Sequence, residues 1–215
     1  MVNDARGGGL AGAEVIAARV VWRQGGCGCN AGGCMTLLIL GMLLWSAAHL
    51  FKRIAPGPRR ALGDAGKGAV ALAVLGSVVL MVLGYRAAEV VPLYTLPGYL
   101  VHVNNLLMIF AFYLYAASGM RTAITRVIRH PQLTAIKTWA VAHLLVNGEL
   151  ASVVLFGGML AWAVVEVILI NRAEPVWVRP ARVPVRKEAM AVAGTLIVVG
   201  IVMAVHNWLG VQPWG

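Results

Sequence analysis

The chain has 215 residues, of which 60% are hydrophobic and only 12% charged, and its mean hydropathy is +0.80. A soluble domain of this length cannot cover so much apolar surface, which excludes the ordinary globular class and leaves a protein that crosses a membrane several times. The net charge of +10 would suggest a nucleic-acid partner for a soluble protein, but the basic residues stand between apolar runs. Membrane topology accounts for them, and no nucleic-acid partner is expected.

Residues 1–34 differ from the rest. They are rich in Gly and Ala, carry no apolar run of the signal-peptide kind, and hold all three cysteines in CGCNAGGC (Cys27, Cys29, Cys34). The Cys-x-Cys spacing with a third cysteine further on, and no His nearby, lacks the paired pattern of a zinc site. The segment reads as an N-terminal extension, disordered or the product of a start placed too early, ahead of a transmembrane domain at 35–215.

Six apolar segments follow, near 35–52, 68–85, 99–118, 132–147, 150–171 and 189–209. Each approaches the ~20 residues that cross a bilayer as a helix. The fourth is the shortest and carries Thr134, Lys137 and Thr138. The expected fold is all-α, a polytopic bundle of about six transmembrane helices. Prolines fall between the segments or, at Pro131, at a helix start, where the missing N–H would have no partner anyway.

Charge orients the bundle. Lys52, Arg53, Arg59, Arg60 and Lys67 follow the first segment; Arg121, Arg126 and Arg129 follow the third; Arg172, Arg179, Arg182, Arg186 and Lys187 follow the fifth. The intervening loops offer only Arg86. The three basic loops are therefore expected in the cytoplasm and both termini on the non-cytoplasmic side.

Four of the five histidines, His49, His102, His143 and His206, fall within or at the rim of apolar segments. Ionisable groups at that depth mark a site by default, although an imidazole bonding a backbone carbonyl is the plainer use of any single one. Residues four apart share a helix face, which aligns Gly41, Trp45 and His49; Trp139, His143 and Asn147; and Gly158, Trp162 and Glu166. His102 and Asn105 share a face on the third segment. Counting at 1.5 Å per residue places His49 and His143 roughly 9 Å apart in height, near mid-membrane. Two imidazoles from different helices of a bundle suit the axial positions of a b-type haem. Trp45, Trp139 and Asn147 would line such a site, and Arg53, Arg129 and Lys137 are candidate partners for the propionates. Cys-x-x-Cys-His is absent, so no covalent haem is expected.

The block RHPQLTAIKTWAVAHLLVNGELASVVLFGGMLAW (129–162), the opening MTLLILGMLLWSAAHLFKR (35–53) and the ending AVHNWLGVQPW (204–214) resemble the NnrU family of membrane proteins. More distantly, the pattern is similar to the plant and cyanobacterial 15-cis-zeta-carotene isomerases, in which two histidines hold a haem b. One lies in the first matching helix and the other in an Ala-His pair after Arg-His-Pro. Matched residue by residue, the resemblance implies His49 and His143 as the iron ligands.

It further implies a role in denitrification-linked nitrogen-oxide metabolism, or a redox-gated isomerase-like activity. Together with the charge pattern of the loops, it implies a bacterial inner membrane as the expected location. The partners it implies are the lipid bilayer and nitrogen-oxide reductases or other redox proteins. A non-enzymatic factor supporting assembly or regulation of nitrite or nitric oxide reductases is the alternative. A proton-coupled transporter is a third reading, which the absence of an inverted repeat disfavours.

Overall fold

A computed structural model describes residues 31–213. Most of the N-terminal extension, including Cys27 and Cys29, lies outside the described residues. Helix α1 (Ala31–Ile54) begins four residues before the expected boundary and takes buried Cys34 into its first turn. A short α2 (Pro56–Ala61) starts on proline, whose fixed φ suits a first helical turn. Then come α3 (Ala65–Ala87) and α4 (Leu100–Met120). Helix α4 is stopped by Arg121, which adopts a left-handed conformation at φ 57° and closes the end with its N–H on the Ala117 carbonyl. A 3-10 turn (Ala123–Arg126) leads to α5 (Pro131–Leu144), again opened by proline. Helix α6 (Leu150–Ala173) contains a π-helical turn at Val153–Gly157, and α7 (Val185–Trp208) closes the order. The described residues contain no strand, only an isolated bridge between Pro92 and Glu149.

Five helices, α1, α3, α4, α6 and α7, are long and apolar enough to cross a membrane. The protein is thus a multi-pass, all-helical membrane protein. Helix α5 has 14 residues, about 21 Å at 1.5 Å per residue, against a hydrocarbon core of ~30 Å. It stops at Leu144 rather than at 147, and the chain between α3 and α4 folds over the gap. Leu93 and Tyr94 donate their N–H groups to the Gly148 carbonyl at 2.8 and 3.1 Å, Leu150 donates to the Val91 carbonyl at 2.9 Å, and the Tyr94 hydroxyl donates to the Leu144 carbonyl at 2.7 Å. Protein groups thus satisfy the irregular backbone of the strap and the turn.

The most extensive packing is α1 against α3; α4 packs on α5 and α7, and α6 receives both α1 and α5. In a bilayer apolar side chains gain little by leaving lipid, so close approach must come from small residues at the crossings. Gly41 lies against Met81 and Ser77, and Gly84 against the backbone of Leu38 and Cys34. The core around α6 contains Leu38, Met42, Met81, Met159, Trp162 and Ala163. Outward, Leu72, Leu75, Leu106, Leu196, Ile197 and Ile201 are exposed, as lipid-facing positions require.

Candidate functional site

Helix α6 carries the core of the candidate site, and two aromatic clusters meet on it. In the first, His49 and Trp45 of α1 stand four residues apart with ring centroids 4.1 Å apart, and Trp162 of α6 meets them edge-on at 5.0 and 5.4 Å. His49 Nδ1–H donates to the Trp45 carbonyl at 3.0 Å. Because a carbonyl only accepts, Nδ1 carries a proton; in the neutral ring this leaves the lone pair on Nε2, the tautomer that a metal-binding imidazole needs. The indole Nε1 atoms of Trp45 and Trp162 and Oε2 of Glu166 are buried without a hydrogen-bond partner.

In the second cluster, His143 of α5 stacks on Phe156 with centroids 4.4 Å apart and planes 9° from parallel. Trp139 meets both rings edge-on, at 5.2 Å from His143 and 5.0 Å from Phe156. Phe156 belongs to the π-helical turn, a distortion that occurs often at functional sites and that re-aims the side chains it carries. Stacking covers a face of the His143 ring. Asn147, one turn on, donates from Nδ2 to the His143 carbonyl at 2.9 Å, and the same nitrogen lies 3.5 Å from His143 Nδ1.

The two histidines therefore sit on different helices against the same helix α6, but at different levels. Phe156 and Trp162 are six residues apart, an axial rise of about 9 Å. Trp45 and Trp139 both pack against the core cluster that contains Trp162, so apolar contacts join the two halves. His206 makes the same kind of bond as His49, Nδ1–H to the Val202 carbonyl at 2.8 Å, but its ring has no aromatic cage among the described residues. On α4, the Asn105 side chain accepts from buried Asn104 Nδ2 at 3.1 Å.

The basic end of the site is tied by polar contacts. Arg53 Nη1 lies 3.1 Å from Glu174 Oε1, and Arg53 Nε lies 3.9 Å from Glu166 Oε1. Arg129 donates to the Glu174 carbonyl, and His130 pairs through Nε2 with Asn171 Oδ1 at 2.9 Å. Arg-His-Pro thus does more than open α5: it bolts α5 to the end of α6, and Arg53 bolts α1 to the same place. Lys137 is half-buried on α5.

At the opposite end, a polar group appears that the sequence did not reveal. Glu149 is buried at 8% exposure; its Oε1 accepts from Ser152 Oγ at 3.0 Å and from the Tyr85 hydroxyl at 3.2 Å. The two hydroxyls also bond each other at 2.9 Å. Tyr85 touches Phe156 edge-on at 6.3 Å, which connects this triad to the His143 stack. Tyr94, on the covering strap, has its phenol pushed above the ordinary value by desolvation.

Half-buried His49 and His143, each in ring contacts and both packed against one distorted helix, lie within an all-helical, multi-pass membrane protein. The family follows from comparison with known proteins: the model of the family described as NnrU protein matches residues 37–213, and the chain belongs to that family. Neither the curated proteins nor the solved structures compared with the chain give a match.

Proposed function

We propose that this NnrU-family protein binds haem b between its helices, with His49 and His143 as iron ligands. In this reading it acts in nitrogen-oxide, denitrification-linked metabolism or as a redox-gated isomerase-like enzyme of the zeta-carotene isomerase kind. The observation that carries the reading is the pair of aromatic-caged imidazoles, brought by α1 and α5 to the same helix α6.

The residues present fit the group in three respects. The Trp45 carbonyl holds the His49 proton on Nδ1 and leaves Nε2 free. The orphaned indole N–H groups of Trp45 and Trp162 are buried donors that a ligand with acceptor oxygens would satisfy. Trp45 and Trp162 beside His49, and Trp139 and Phe156 beside His143, supply apolar walls of the kind a tetrapyrrole body requires. When bound, the haem supplies one-electron chemistry at iron and, on release of one imidazole, an open iron position.

The protein's own contribution is orientation and exclusion of water. Trp162 and Trp45 hold the His49 ring, Phe156 and Trp139 hold the His143 ring, and the Tyr94 strap closes the end nearer His143. With α5 counted as a crossing, the chain makes six passes of a bacterial inner membrane, basic loops inside and both ends outside. The strap and the Asn147–Glu149 turn fill the outer part of the short fourth pass.

The test is spectroscopic. The full chain, expressed with adequate haem and purified, should give a reduced-minus-oxidised difference spectrum and a pyridine haemochrome of b-type haem at one equivalent. His49→Ala and His143→Ala should each abolish or shift that spectrum, while His206→Ala leaves it largely intact. Absence of haem would overturn the proposal in favour of a non-enzymatic membrane factor. An unchanged spectrum in both variants would overturn the ligand assignment.

A further inference from the structure

Helices α4 and α7 run side by side, and α4 also packs on α5. Between α4 and α7 lies an open groove of about 280 Å³, just below the roughly 300–1,000 Å³ typical of small-molecule sites. Ile109, Phe110 and Tyr113 line it from α4, and Val192, Thr195 and Leu196 from α7. These positions fall at i, i+3 and i+4 spacings, so each helix contributes one continuous stripe. The groove offers no free polar group to a ligand. The Thr195 hydroxyl donates to the Ala191 carbonyl at 2.8 Å, and the Tyr113 hydroxyl is directed to Glu188 Oε2 at 3.5 Å. Only a hydrocarbon chain suits such a wall.

The basic end of the same helix pair is different. Glu188 of α7 turns inward, where its Oε1 accepts the Ala123 N–H at 2.5 Å. That contact joins the turn after α4 to the first turn of α7. It brings Arg121, two residues before Ala123, to the same end as Arg186 and Lys187, immediately before Glu188. All three cations are exposed. None has a carboxylate partner among the described residues; Glu188, next to Lys187 in the chain, is engaged by the Ala123 N–H and the Tyr113 hydroxyl.

The geometry points to a bound anionic phospholipid: one acyl chain in the α4–α7 groove, with its phosphate headgroup at Arg121, Arg186 and Lys187. Topology alone asks for basic residues somewhere in these loops. It does not ask for three unpaired cations at the mouth of an apolar groove formed by the same two helices. Charge complementarity selects an anionic headgroup over a zwitterionic one, and the groove selects a tail rather than a soluble phosphate.

The full chain in detergent, titrated with phosphatidylglycerol or phosphatidylcholine and examined by native mass spectrometry, tests this. The wild type should retain one phosphatidylglycerol in preference to phosphatidylcholine, on the order of a hundredfold for three cations near a net-anionic headgroup. The triple variant R121Q/R186Q/K187Q should lose the preference, and Leu196→Trp, which fills the groove, should lose retention of both lipids. Equal retention of the two lipids by the wild type, or an unchanged preference in the triple variant, would overturn the proposal. A measurement on unaltered protein guards against misfolded variants. Phosphatidylglycerol with a photoactivatable group midway along its acyl chain should label peptides within 106–113 and 192–196. Labelling spread evenly over the lipid faces of α3 and α6 would refute the site.

Discussion

Gly84→Ala isolates the packing that holds the histidine-bearing helix α1 in place. A Cβ at Gly84 would stand 2.8 Å from Leu38 Cα and 2.9 Å from the Cys34 carbonyl oxygen, with the Leu38 amide nitrogen nearer still. Carbon contacts relax at about 3.5–4.0 Å. These are backbone atoms, so no rotamer change relieves the overlap, and α1 and α3 must separate by about 1 Å. A gap of that size forfeits roughly a quarter to a half of the dispersion attraction across the contact. Overpacking of this kind costs about 1–3 kcal/mol.

Gly76→Ala on the same helix is the control, because nothing lies within 4 Å of a Cβ there and the helix-propensity gain is common to both variants. Unfolding in mixed micelles titrated with sodium dodecyl sulfate, followed by far-ultraviolet circular dichroism, should place Gly84→Ala about 1–3 kcal/mol below Gly76→Ala. Equal stability, within about 0.5 kcal/mol, would refute the claim that backbone contact at Gly84 sets the α1–α3 distance.

Glu149→Ala removes the acceptor shared by Tyr85 and Ser152, which still bond each other. A loss of about 1–2 kcal/mol is expected in the same titration, toward the lower part of the range for orphaned buried donors. Glu149→Gln keeps an acceptor oxygen and should lose less; an alanine variant as stable as the glutamine variant would refute the role. The Tyr94 phenol, desolvated in the strap, should ionise above the ordinary value near 10. Because the shift is upward, the strap's bond to the Leu144 carbonyl persists through the usual phenol range and is lost only as pH climbs through the raised value. The ultraviolet difference between wild type and Tyr94→Phe at 295 nm reads this directly, and a phenol titrating at its ordinary value would contradict it.

The membrane character, the five long spans and the helical alignments of Trp45 with His49 and of Trp139, His143 and Asn147 were legible in the chain. Each follows from local spacing: apolar run length against bilayer thickness, and 3.6 residues per turn. The family was legible too, in the Arg-His-Pro to Ala-His block. The fourth segment was legible only as an apolar run of doubtful length. Its end at Leu144 is decided by the Gly148 turn and by the strap carrying Tyr94, whose partners lie about fifty residues away in the chain.

Phe156, Tyr85 and Glu149 were not visible as site residues, since a lone phenylalanine in an apolar run and a glutamate at a loop edge carry no pattern of their own. Arg53 and Arg129 read as topology charges, yet tertiary contacts with Glu174 give them a fastening role. Composition and periodicity thus determined that these helices cross a membrane and which side chains share a face. They act along one segment at a time. Only the packing of α1 and α5 on the π-distorted α6 decided that the two histidine faces meet the same helix, because that depends on contacts between segments far apart in sequence.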